Sequence, residues 1–540
     1  MKYYGIDLGT TFSAISVMHD NGTAEIVCDP VTNDSFTPSV VYYPEEGHAH
    51  VGVDADSIEP SKYGCVAESE HIKRMISYVA PKEKHFICKD AGGKPFGEHK
   101  SPVELSSLIL KKVSGYIAPP GLDMQNSVVV VTHPAYFDQY GVQNTKEAAI
   151  AAFPGMDAKK IRLIQEPVAA ALCFAMRRPA DAKGKTVLVY DLGGGTFDVS
   201  IVKVSPDGKN VESVGKPEGD PQLGGKDWDH CLVKEYARQL GFEDFALDKK
   251  EWSEKFVNFC AEKLNNDKAQ AMEFVHRLKE HATKDKEKLT IHPRITRHLT
   301  LGDTRKSVQI SQEEFEELTR DLLNKTVMCV NKALENAENA PIDVCLLVGG
   351  SSLMPQVKKI LDHNFAQTFG KIEQYDPNKA VALGAAYFAK ISVEAPGTVS
   401  PPLSRSYGIG ACHDDISEYI AILAVAGTPF PVEVRADSFK PRGVTNTLRE
   451  VIVQTTATDK ILRDIDNHDV IYDDIWDLGR EVTPNDRITT ILKISEDGIL
   501  ELAESIGDAK PFFVQINLGG SQNSKERKQI QESVQRTKVE

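Results

Sequence analysis

Two stretches of the sequence carry aspartates, glycines and hydroxyls in the same order, a combination suited to binding phosphate. The first runs from Tyr4 to Ser13 (YGIDLGTTFS) and the second from Tyr190 to Asp198 (YDLGGGTFD). Glycines let backbone N–H groups approach an oxyanion, hydroxyls add donors, and a few carboxylates suit a magnesium ion that keeps its waters. Either copy alone is equally well explained as an ordinary hairpin turn, but two copies in the same order favour a phosphate clamp.

The elements around these stretches are also duplicated. Each copy places an apolar strand before the aspartate and a second strand after the turn, which predicts two β-hairpins. Residues 163–172 and 376–386 each begin a helix with an alanine-rich face that permits close packing. A buried strand ending at Gly349 and Gly350 suits a nucleoside packed against bare backbone. A single diglycine is more often a loop, and a single alanine-rich helix is more often packing, but their joint order favours a nucleotide site.

Composition restricts the class of protein. The chain has 540 residues and a formal net charge of −15, which argues against nucleic acid or an anionic membrane as the main partner. Its nine cysteines never form Cys-x-x-Cys, so the sequence indicates neither a disulfide framework nor a cysteine zinc site. No basic leader precedes an apolar segment and no run of eighteen apolar residues occurs, so we expect a cytoplasmic protein.

The pattern of the chain changes along its length and predicts two domains. Residues 1–391 alternate strands and helices, with a charged helical subdomain over 229–290. Residues 392–403 carry three prolines and a glycine and predict a linker. Residues 404–520 predict an all-β domain. Residues 521–540 have only Ile530, Val534 and Val539 as apolar anchors, so we expect at best a short, weakly held helix.

Taken together, these motifs resemble the actin-like ATPase superfamily, and within it the DnaK-type seventy-kilodalton heat-shock chaperones. The resemblance implies an α/β actin-like ATPase domain, duplicated in two lobes, followed by an all-β substrate-binding-like domain. It rests on the two hairpins, on residues 134–137, 166–171, 223–225, 348–351 and 381–386, and on the hairpin at 496–500.

The resemblance also implies roles for individual residues with ATP or ADP and Mg²⁺ as cofactors. Asp7, Asp191 and Asp198 would hold the magnesium ion. Lys73, Glu166, Asp191, Asp198 and Thr196 would be the catalytic residues, with Lys73 orienting the attacking water. The nucleotide-binding residues would be Gly9, Thr10, Thr11, Phe12, Gly193, Gly194, Gly195, Gly224, Gly225, Lys286, Thr290, Gly349, Gly350, Ser351 and Asn378.

This sequence departs from the family pattern at several positions. Thr283 replaces the usual glutamate of the adenosine pocket, and Leu353 stands where an arginine normally stacks on adenine. Losing these contacts would cost on the order of 1–3 kcal/mol, so we predict weaker ATP binding than in a typical member. Val142 occupies the place of an arginine that relays the nucleotide state, and the linker segment 394–400 offers little apolar surface to dock. We also expect the family's large helical lid to be absent.

The resemblance implies an ATP-hydrolysing chaperone or chaperone cofactor. Its expected partners are unfolded or extended polypeptide, bound weakly for want of a lid, or a dedicated protein partner, with J-domain and nucleotide-exchange co-chaperones as further partners. One alternative is a non-enzymatic interaction protein of the same family in which the nucleotide is structural. A second is a sugar kinase or actin-like filament protein on the same ATPase fold, against which the β-rich 404–520 region argues.

Overall fold

The computed structural model describes residues 1–56, 66–67, 72, 76, 100–119, 121–208, 210–243, 249–413, 416–463, 468–507, 512–515 and 524–540. The first part of the chain forms two lobes, and each lobe is built on a mixed sheet. The elements of the first lobe are β1 Lys2–Asp7, β2 Phe12–Met18, β3 Ala24–Val27, β4 Thr37–Pro38, β5 Val41–Glu45, β6 His48–Val51, α1 Val53–Asp56, β7 Val66–Ala67, α2 Pro102–Ser114, β8 Ser127–His133, α3 Gln139–Ala152, β9 Ile161–Gln165 and α4 Glu166–Arg177.

The main sheet of the first lobe has the strand order β3-β2-β1-β8-β9. β1 and β2 form the predicted hairpin, and β1 pairs in parallel with β8. The four consecutive valines of β8 are buried on both faces of the sheet: Val129 and Val131 enter the core beneath α2 and α3, while Val128 and Val130 enter a core shared with the second lobe. A continuous apolar strand of this kind is what a two-sided sheet requires.

The second lobe repeats this arrangement. Its elements are α5 Pro179–Ala182, β10 Thr186–Leu192, β11 Phe197–Val204, β12 Val211–Ser213, β13 Glu218–Asp220, α6 Gly225–Gln239, α7 Lys249–Lys263, α8 Lys268–Leu289, β14 Arg294–Leu301, β15 Thr304–Ser311, α9 Gln312–Leu318, α10 Arg320–Asn336, β16 Ile342–Val348, α11 Pro355–Phe365, β17 Phe369–Gln374 and α12 Ala380–Glu394. The hairpin of β10 and β11 is again followed by a parallel neighbour, β16.

Helices α4 and α12 pack against each other between the two lobes. A Cβ at Gly384 of α12 would lie 1.8 Å from the carbonyl oxygen of Ala169 in α4, and a Cβ at Gly5 of β1 would lie 2.2 Å from the backbone nitrogen of Ala386. The small residues predicted to allow close packing are therefore required at this crossing, because any larger side chain would push the backbones apart.

The remaining elements form a β-sandwich and a C-terminal segment. They are β18 Val399–Ser400, β19 Ser406–His413, β20 Ile416–Ala424, β21 Val432–Phe439, β22 Thr445–Thr455, β23 Ile461–Arg463, β24 Asp469–Val482, β25 Ile488–Ile494, β26 Leu500–Ile506, β27 Phe512–Gln515, α13 Ser524–Arg536 and β28 Lys538–Val539. The two sheets have the orders β23-β20-β19-β22-β24 and β21-β25-β26-β27, and Ile452, Leu492 and Leu502 lie between them. The predicted α/β part followed by an all-β part is confirmed.

The linker docks on the second lobe through its backbone, although its sequence offers little apolar surface. Its strand β18 pairs in parallel with β12, so that it extends the sheet of the second lobe. The backbone N–H of Val211 also donates to the carbonyl oxygen of Thr398 at 3.1 Å. The one apolar side chain of this strand, Val399, is 6% exposed. Composition underestimated the docking because a β-ladder forms through backbone groups that every sequence possesses.

The C-terminal segment is also held more firmly than its composition predicted. α13 packs against α2 and α3, and Val534 is 1% exposed within the core of the first lobe. Lys111 of α2 donates to the carbonyl oxygens of Val534 and Thr537 at 3.0 and 2.7 Å, which satisfies carbonyls at the end of α13. β28 then pairs in parallel with β6. The prediction of a weakly held helix is wrong, because the partners that hold it lie about 430 residues away in the chain.

Candidate functional site

The two glycine-containing turns meet each other between the lobes. A Cβ at Gly194 would lie 2.0 Å from the hydroxyl oxygen of Thr11, and a Cβ at Gly195 would lie 2.4 Å from Cγ2 of Thr10. The glycines are therefore needed because the opposite turn occupies the space of a side chain. Sequence reasoning paired these two turns, and the structure brings them into direct contact.

One hydroxyl in this cradle is poised for a ligand. Oγ1 of Thr11 is shielded from solvent and has no hydrogen-bond partner among the residues that the structure describes. A buried polar atom without a partner costs free energy, so such atoms mark places where a ligand or ion completes the bonding. Thr10 and Thr196 from the two turns are each 6% exposed. The cradle thus offers hydroxyl and backbone donors of the kind that bind phosphate oxygens.

Carboxylates from both lobes lie at the same place. Asp191 and Asp198 are direct cross-strand partners in the β10–β11 hairpin, so their Cα atoms are about 4.5–5.5 Å apart. They are 7% and 1% exposed. Two buried carboxylates opposite each other repel, and a divalent cation between them would offset that repulsion.

The end of β8 ties these carboxylates to the first lobe. The hydroxyl of Thr132 donates to Asp7 Oδ1 at 3.2 Å, and the backbone N–H of Ala135 donates to Asp198 Oδ1 at 3.0 Å. Thr132 and Ala135 are joined by at most about 10 Å of chain, so one short segment at the end of β8 binds both Asp7 and Asp198. The three predicted magnesium ligands lie at this end of the cleft, and a small set of carboxylates would suit a hydrated Mg²⁺ ion.

Of the predicted catalytic residues Glu166 and Lys73, the structure describes only Glu166. Glu166 is 7% exposed and begins α4 directly after β9, whose last residue Gln165 is the register partner of His133 at the end of β8. It therefore lies at the same sheet edge as Thr132. Lys73 lies outside the described residues, although its neighbours Ile72 and Ile76 are buried in the core of the first lobe.

The start of α6 is joined to the second turn. The backbone N–H groups of Gly225 and Lys226 donate to the carbonyl oxygens of Gly193 and Gly194 at 3.0 and 2.8 Å. A Cβ at Gly224 would lie 2.5 Å from the backbone of Gly195. This contact leaves no room for any side chain at residue 224, so the predicted glycine pair is needed for packing against the phosphate-binding turn.

A second group of predicted residues converges beside α6. A Cβ at Gly225 would lie 2.2 Å from Ser351 Oγ and 3.0 Å from the ammonium nitrogen of Lys286. Gly350 faces the amide oxygen of Asn378, which a Cβ would approach to 2.9 Å. Gly349 has a φ of 78°, and a Cβ there would lie 2.6 Å from Asp191 Oδ1. This turn therefore connects the nucleoside side of the cleft to the carboxylates.

Sequence reasoning missed Asp229, which organises the predicted adenosine side. Lys286 forms an ion pair with Asp229 at 2.8 Å and donates to the carbonyl oxygen of Gly225 at 3.0 Å. The hydroxyl of Thr283 donates to the other oxygen of Asp229 at 2.9 Å. Thr283, which replaces the family's usual glutamate, therefore still makes a polar contact. No sequence pattern marked Asp229, because an acidic residue one turn into a helix is ordinarily solvated.

Thr290 and Leu353 do not offer the contacts that the family pattern implies for a nucleotide site. The hydroxyl of Thr290 donates to the carbonyl oxygen of Glu287 at 2.5 Å and so caps the end of its own helix, α8. Leu353 is 41% exposed at the end of the turn that carries Ser351. An exposed leucine cannot supply the stacking charge of an arginine.

A buried polar network fixes the helix that carries Lys286. Asp285 is 1% exposed and accepts two hydrogen bonds from Arg297 at 2.7 and 2.6 Å and one from the hydroxyl of Tyr236 at 2.8 Å. Burial and the adjacent Asp285 carboxylate raise the pKa of Tyr236, which stays a neutral donor. The network links α8, β14 and α6 and sets the position of Lys286 against Gly225.

The β-sandwich is attached to the first lobe through a buried ion cluster. Asp497 binds Lys146 at 2.7 Å and Arg162 at 2.8 Å, and it accepts from the backbone N–H of Leu163 at 3.2 Å. Burial alone would raise the pKa of Asp497, but the ammonium of Lys146 and the guanidinium of Arg162 outweigh it and hold the pKa below its ordinary value. The hairpin around residue 497 was singled out from sequence, but its basic partners were not.

Gln139, at the start of α3, adds a second connection to the sandwich. Its amide nitrogen donates to the carbonyl oxygen of Gly498 at 2.6 Å, and its amide oxygen accepts from the backbone N–H of Leu500 at 3.1 Å. The same amide nitrogen donates to the hydroxyl of Tyr407 at 3.2 Å. Gln139 therefore joins the start of α3 to both sheets of the sandwich.

The fold and the cleft define an actin-like ATPase domain carrying a β-sandwich. The sequence matches a family model described as Hsp70 protein over residues 3–400. It is 34% identical over 400 residues to the chaperone protein DnaK of Thermotoga petrophila, covering 73% of this chain and 60% of that protein. It is 33% identical over 409 residues to the chaperone protein HscA homolog of Chromobacterium violaceum, covering 72% and 58%. The chain belongs to the Hsp70 family.

The chain spans about three fifths of the length of the curated relatives it matches. Within the described part of the chain, no helix combines the length and the apolar character that crossing a bilayer requires.

Proposed function

We propose that this protein binds and hydrolyses ATP as a chaperone of the DnaK type and that its β-sandwich binds extended polypeptide or a dedicated protein partner. The single observation that carries the proposal is the cradle at Thr10, Thr11, Gly194 and Gly195, with a buried unpartnered hydroxyl and carboxylates from both lobes beside it. Phosphoryl transfer is mostly positioning and electrostatics, and the cradle supplies both.

In this proposal each lobe contributes part of the reaction site. The hydroxyls of Thr10, Thr11 and Thr196 would bind phosphate oxygens. Asp7, Asp191 and Asp198 would hold Mg²⁺ through its waters, and that ion would neutralise phosphate charge. Lys73 and Glu166, by resemblance to the family, would orient the attacking water. Magnesium, the location in the cytoplasm and a role in the stress response belong to this proposal.

The docked sandwich offers a route from the cleft to the partner-binding domain. The strand that carries Thr132 lies next to β9, which carries Arg162, and Arg162 binds Asp497 of the sandwich. A nucleotide that moves the lobes would therefore act directly on this attachment. J-domain and nucleotide-exchange co-chaperones are the expected regulators of such a cycle.

Single-turnover ATP hydrolysis and calorimetry test the proposal. We expect the wild type to bind Mg²⁺-ATP, and Thr11→Val to weaken that binding about 10- to 100-fold, because a hydrogen bond to a charged group contributes about 1.5–3 kcal/mol. Thr23→Val is the matched control, since its hydroxyl donates to Asn21 at 2.7 Å on an exposed turn. A wild type that binds no ATP would refute the proposal.

The second candidate is a non-enzymatic interaction protein in which the nucleotide is structural. Two features favour this candidate: Leu353 is exposed, and the hydroxyl of Thr283 is hydrogen-bonded to Asp229. Both change the adenosine side of the cleft. Lys73→Ala separates the two, with unfolded polypeptide present and absent. Hydrolysis that depends on Lys73 supports the enzyme, hydrolysis that ignores polypeptide indicates an ATPase uncoupled from its sandwich, and binding without turnover supports the structural role.

A further inference from the structure

Two histidines and a glutamate from opposite ends of the chain lie on one small sheet with the order β28-β6-β5-β7. His48 and His50 are two residues apart on β6, so both side chains project from the same face. Val539 of β28 is the register partner of Ala49, which brings Glu540 beside His50. One ligand atom from each of the three residues lies within 4.8 Å of the others.

Backbone hydrogen bonds fix the glutamate in this position. The N–H of Glu540 donates to the carbonyl oxygen of Ala49 at 2.9 Å, and the N–H of Val51 donates to the carbonyl oxygen of Glu540 at 2.9 Å. The side chain of Glu540 is 42% exposed, which leaves it accessible to ions from solvent. A site on two paired strands is held more precisely than one on loops.

The histidine nitrogens are arranged as metal ligands would be. Nε2 of His48 is shielded from solvent, lies 3.1 Å from Oε2 of Glu540 and makes no aligned hydrogen bond with the described part of the chain. Nδ1 of the same ring lies 3.6 Å from a carboxylate oxygen of Glu45. A carboxylate on the far nitrogen is the usual support of a metal-binding histidine. The ring of His50 stacks on Tyr42 with an interplanar angle of 7°, which fixes its orientation.

The two carboxylate oxygens of Glu540 have different neighbours. Lys538 binds Oε1, whereas Oε2 faces His48. One oxygen is therefore directed toward the two imidazoles.

We propose that His48, His50 and Glu540 form a binding site for a divalent transition-metal ion of the zinc class. Two imidazoles and one carboxylate are a ligand set that zinc accepts, with water in the fourth position. Ligand atoms around tetrahedral zinc are about 3.3 Å apart, so side-chain adjustments of about 1 Å would complete the site. The bound ion would fasten β28, and with it α13, to the first lobe.

Titration of the full-length, chelator-treated protein with zinc chloride tests the site. We expect the wild type to bind one more equivalent than a His48→Ala, His50→Ala double variant, so that any zinc bound by the nine cysteines cancels in the comparison. Glu540→Gln should weaken binding at this site at least tenfold. His19→Ala is the matched control, because His19 also lies 2.9 Å from a glutamate, Glu25, yet is not part of the three-residue cluster.

Hydrogen exchange supplies a second readout that does not depend on stoichiometry. Zinc should slow exchange in peptides covering 48–51 and 537–540 of the wild type at least threefold, and it should leave the double variant unchanged. Equal zinc stoichiometry in the wild type and the double variant would overturn the proposal. So would zinc-dependent protection that persists in the double variant.

Discussion

Replacing Asp497 by asparagine tests whether a buried ion cluster holds the β-sandwich against the first lobe. The side chains of Lys146, Asp497 and Arg162 are 9%, 13% and 12% exposed. Asparagine preserves the shape of the residue but removes the counter-charge of Lys146, whereas Arg162 keeps its ion pair with Glu496. Breaking a buried pair in this way costs about 3–5 kcal/mol, which corresponds to a shift of roughly two to three and a half orders of magnitude in the docking equilibrium.

Limited proteolysis of the linker measures this equilibrium. Residues 399–400 form β18 on the edge of the second lobe, and a protease requires an extended, accessible chain, so undocking should speed cleavage near residues 394–402. We expect Asp497→Asn to be cleaved at least tenfold faster than the wild type at equal enzyme and salt. Fluorescence energy transfer between labels on the sandwich and the first lobe should report a matching increase in distance.

Asp473→Asn is the matched control. Asp473 also binds an arginine, Arg449, at 2.8 Å, but the two side chains are 44% and 56% exposed on the surface of the sandwich. An exposed pair contributes about 1 kcal/mol or less, so this variant should behave as the wild type. If Asp497→Asn is cleaved no faster than Asp473→Asn, the reasoning that the ion cluster holds the interface is refuted.

Three further predictions address the cleft, the sandwich and the C-terminal segment. Leu353→Arg should tighten ATP binding about five- to thirty-fold by calorimetry through a regained stacking charge, and nanomolar binding by the wild type would contradict the weak-binding prediction. Burial and the neighbouring Glu450 raise the pKa of Glu504 above the ordinary 4.5, so the folded state holds an extra proton and stability should fall as the pH rises from about 4.5. Because burial also raises the pKa of Glu450, Glu504→Gln should reduce that fall in denaturant titrations, and an unchanged pH profile would count against this assignment. Val534→Ala should destabilise the packing of α13 by about 2 kcal/mol, measured by hydrogen exchange of 524–540, whereas exchange as slow as in the wild type would show that α13 is held by other contacts.

Local sequence was sufficient to predict those parts of the fold and the cleft in which only a particular residue type fits. The turns admit no Cβ at Gly194, Gly195, Gly224 or Gly225, since other backbone or side-chain atoms occupy the space. Such constraints leave glycines, aspartates and hydroxyls at fixed spacing in the chain, and the duplication made them recognisable. The alanine-rich faces of α4 and α12 were predictable for the same reason.

Asp229 and the ion cluster around Asp497 were not predictable from pattern. Asp229 lies on a helix in which an acidic residue is ordinarily solvated, and its role depends on Lys286 of α8 being folded against it. Asp497 occupies a turn in which aspartate is common, and its partners Lys146 and Arg162 lie more than 330 residues earlier. Charge pairs of this kind are defined by distance in space, which spacing in the sequence does not encode.

By itself, the sequence determined the duplicated hairpins, the glycine-containing turns, the carboxylates that accompany them and the change from α/β to all-β structure. Each of these depends on short-range steric and periodic rules. Tertiary structure decided that the linker joins a sheet edge and that residues 524–540 return to the first lobe. Both depend on backbone hydrogen bonds and buried contacts with partners far away in the chain. These contacts require a free strand edge and an apolar groove, which exist only in the folded lobes.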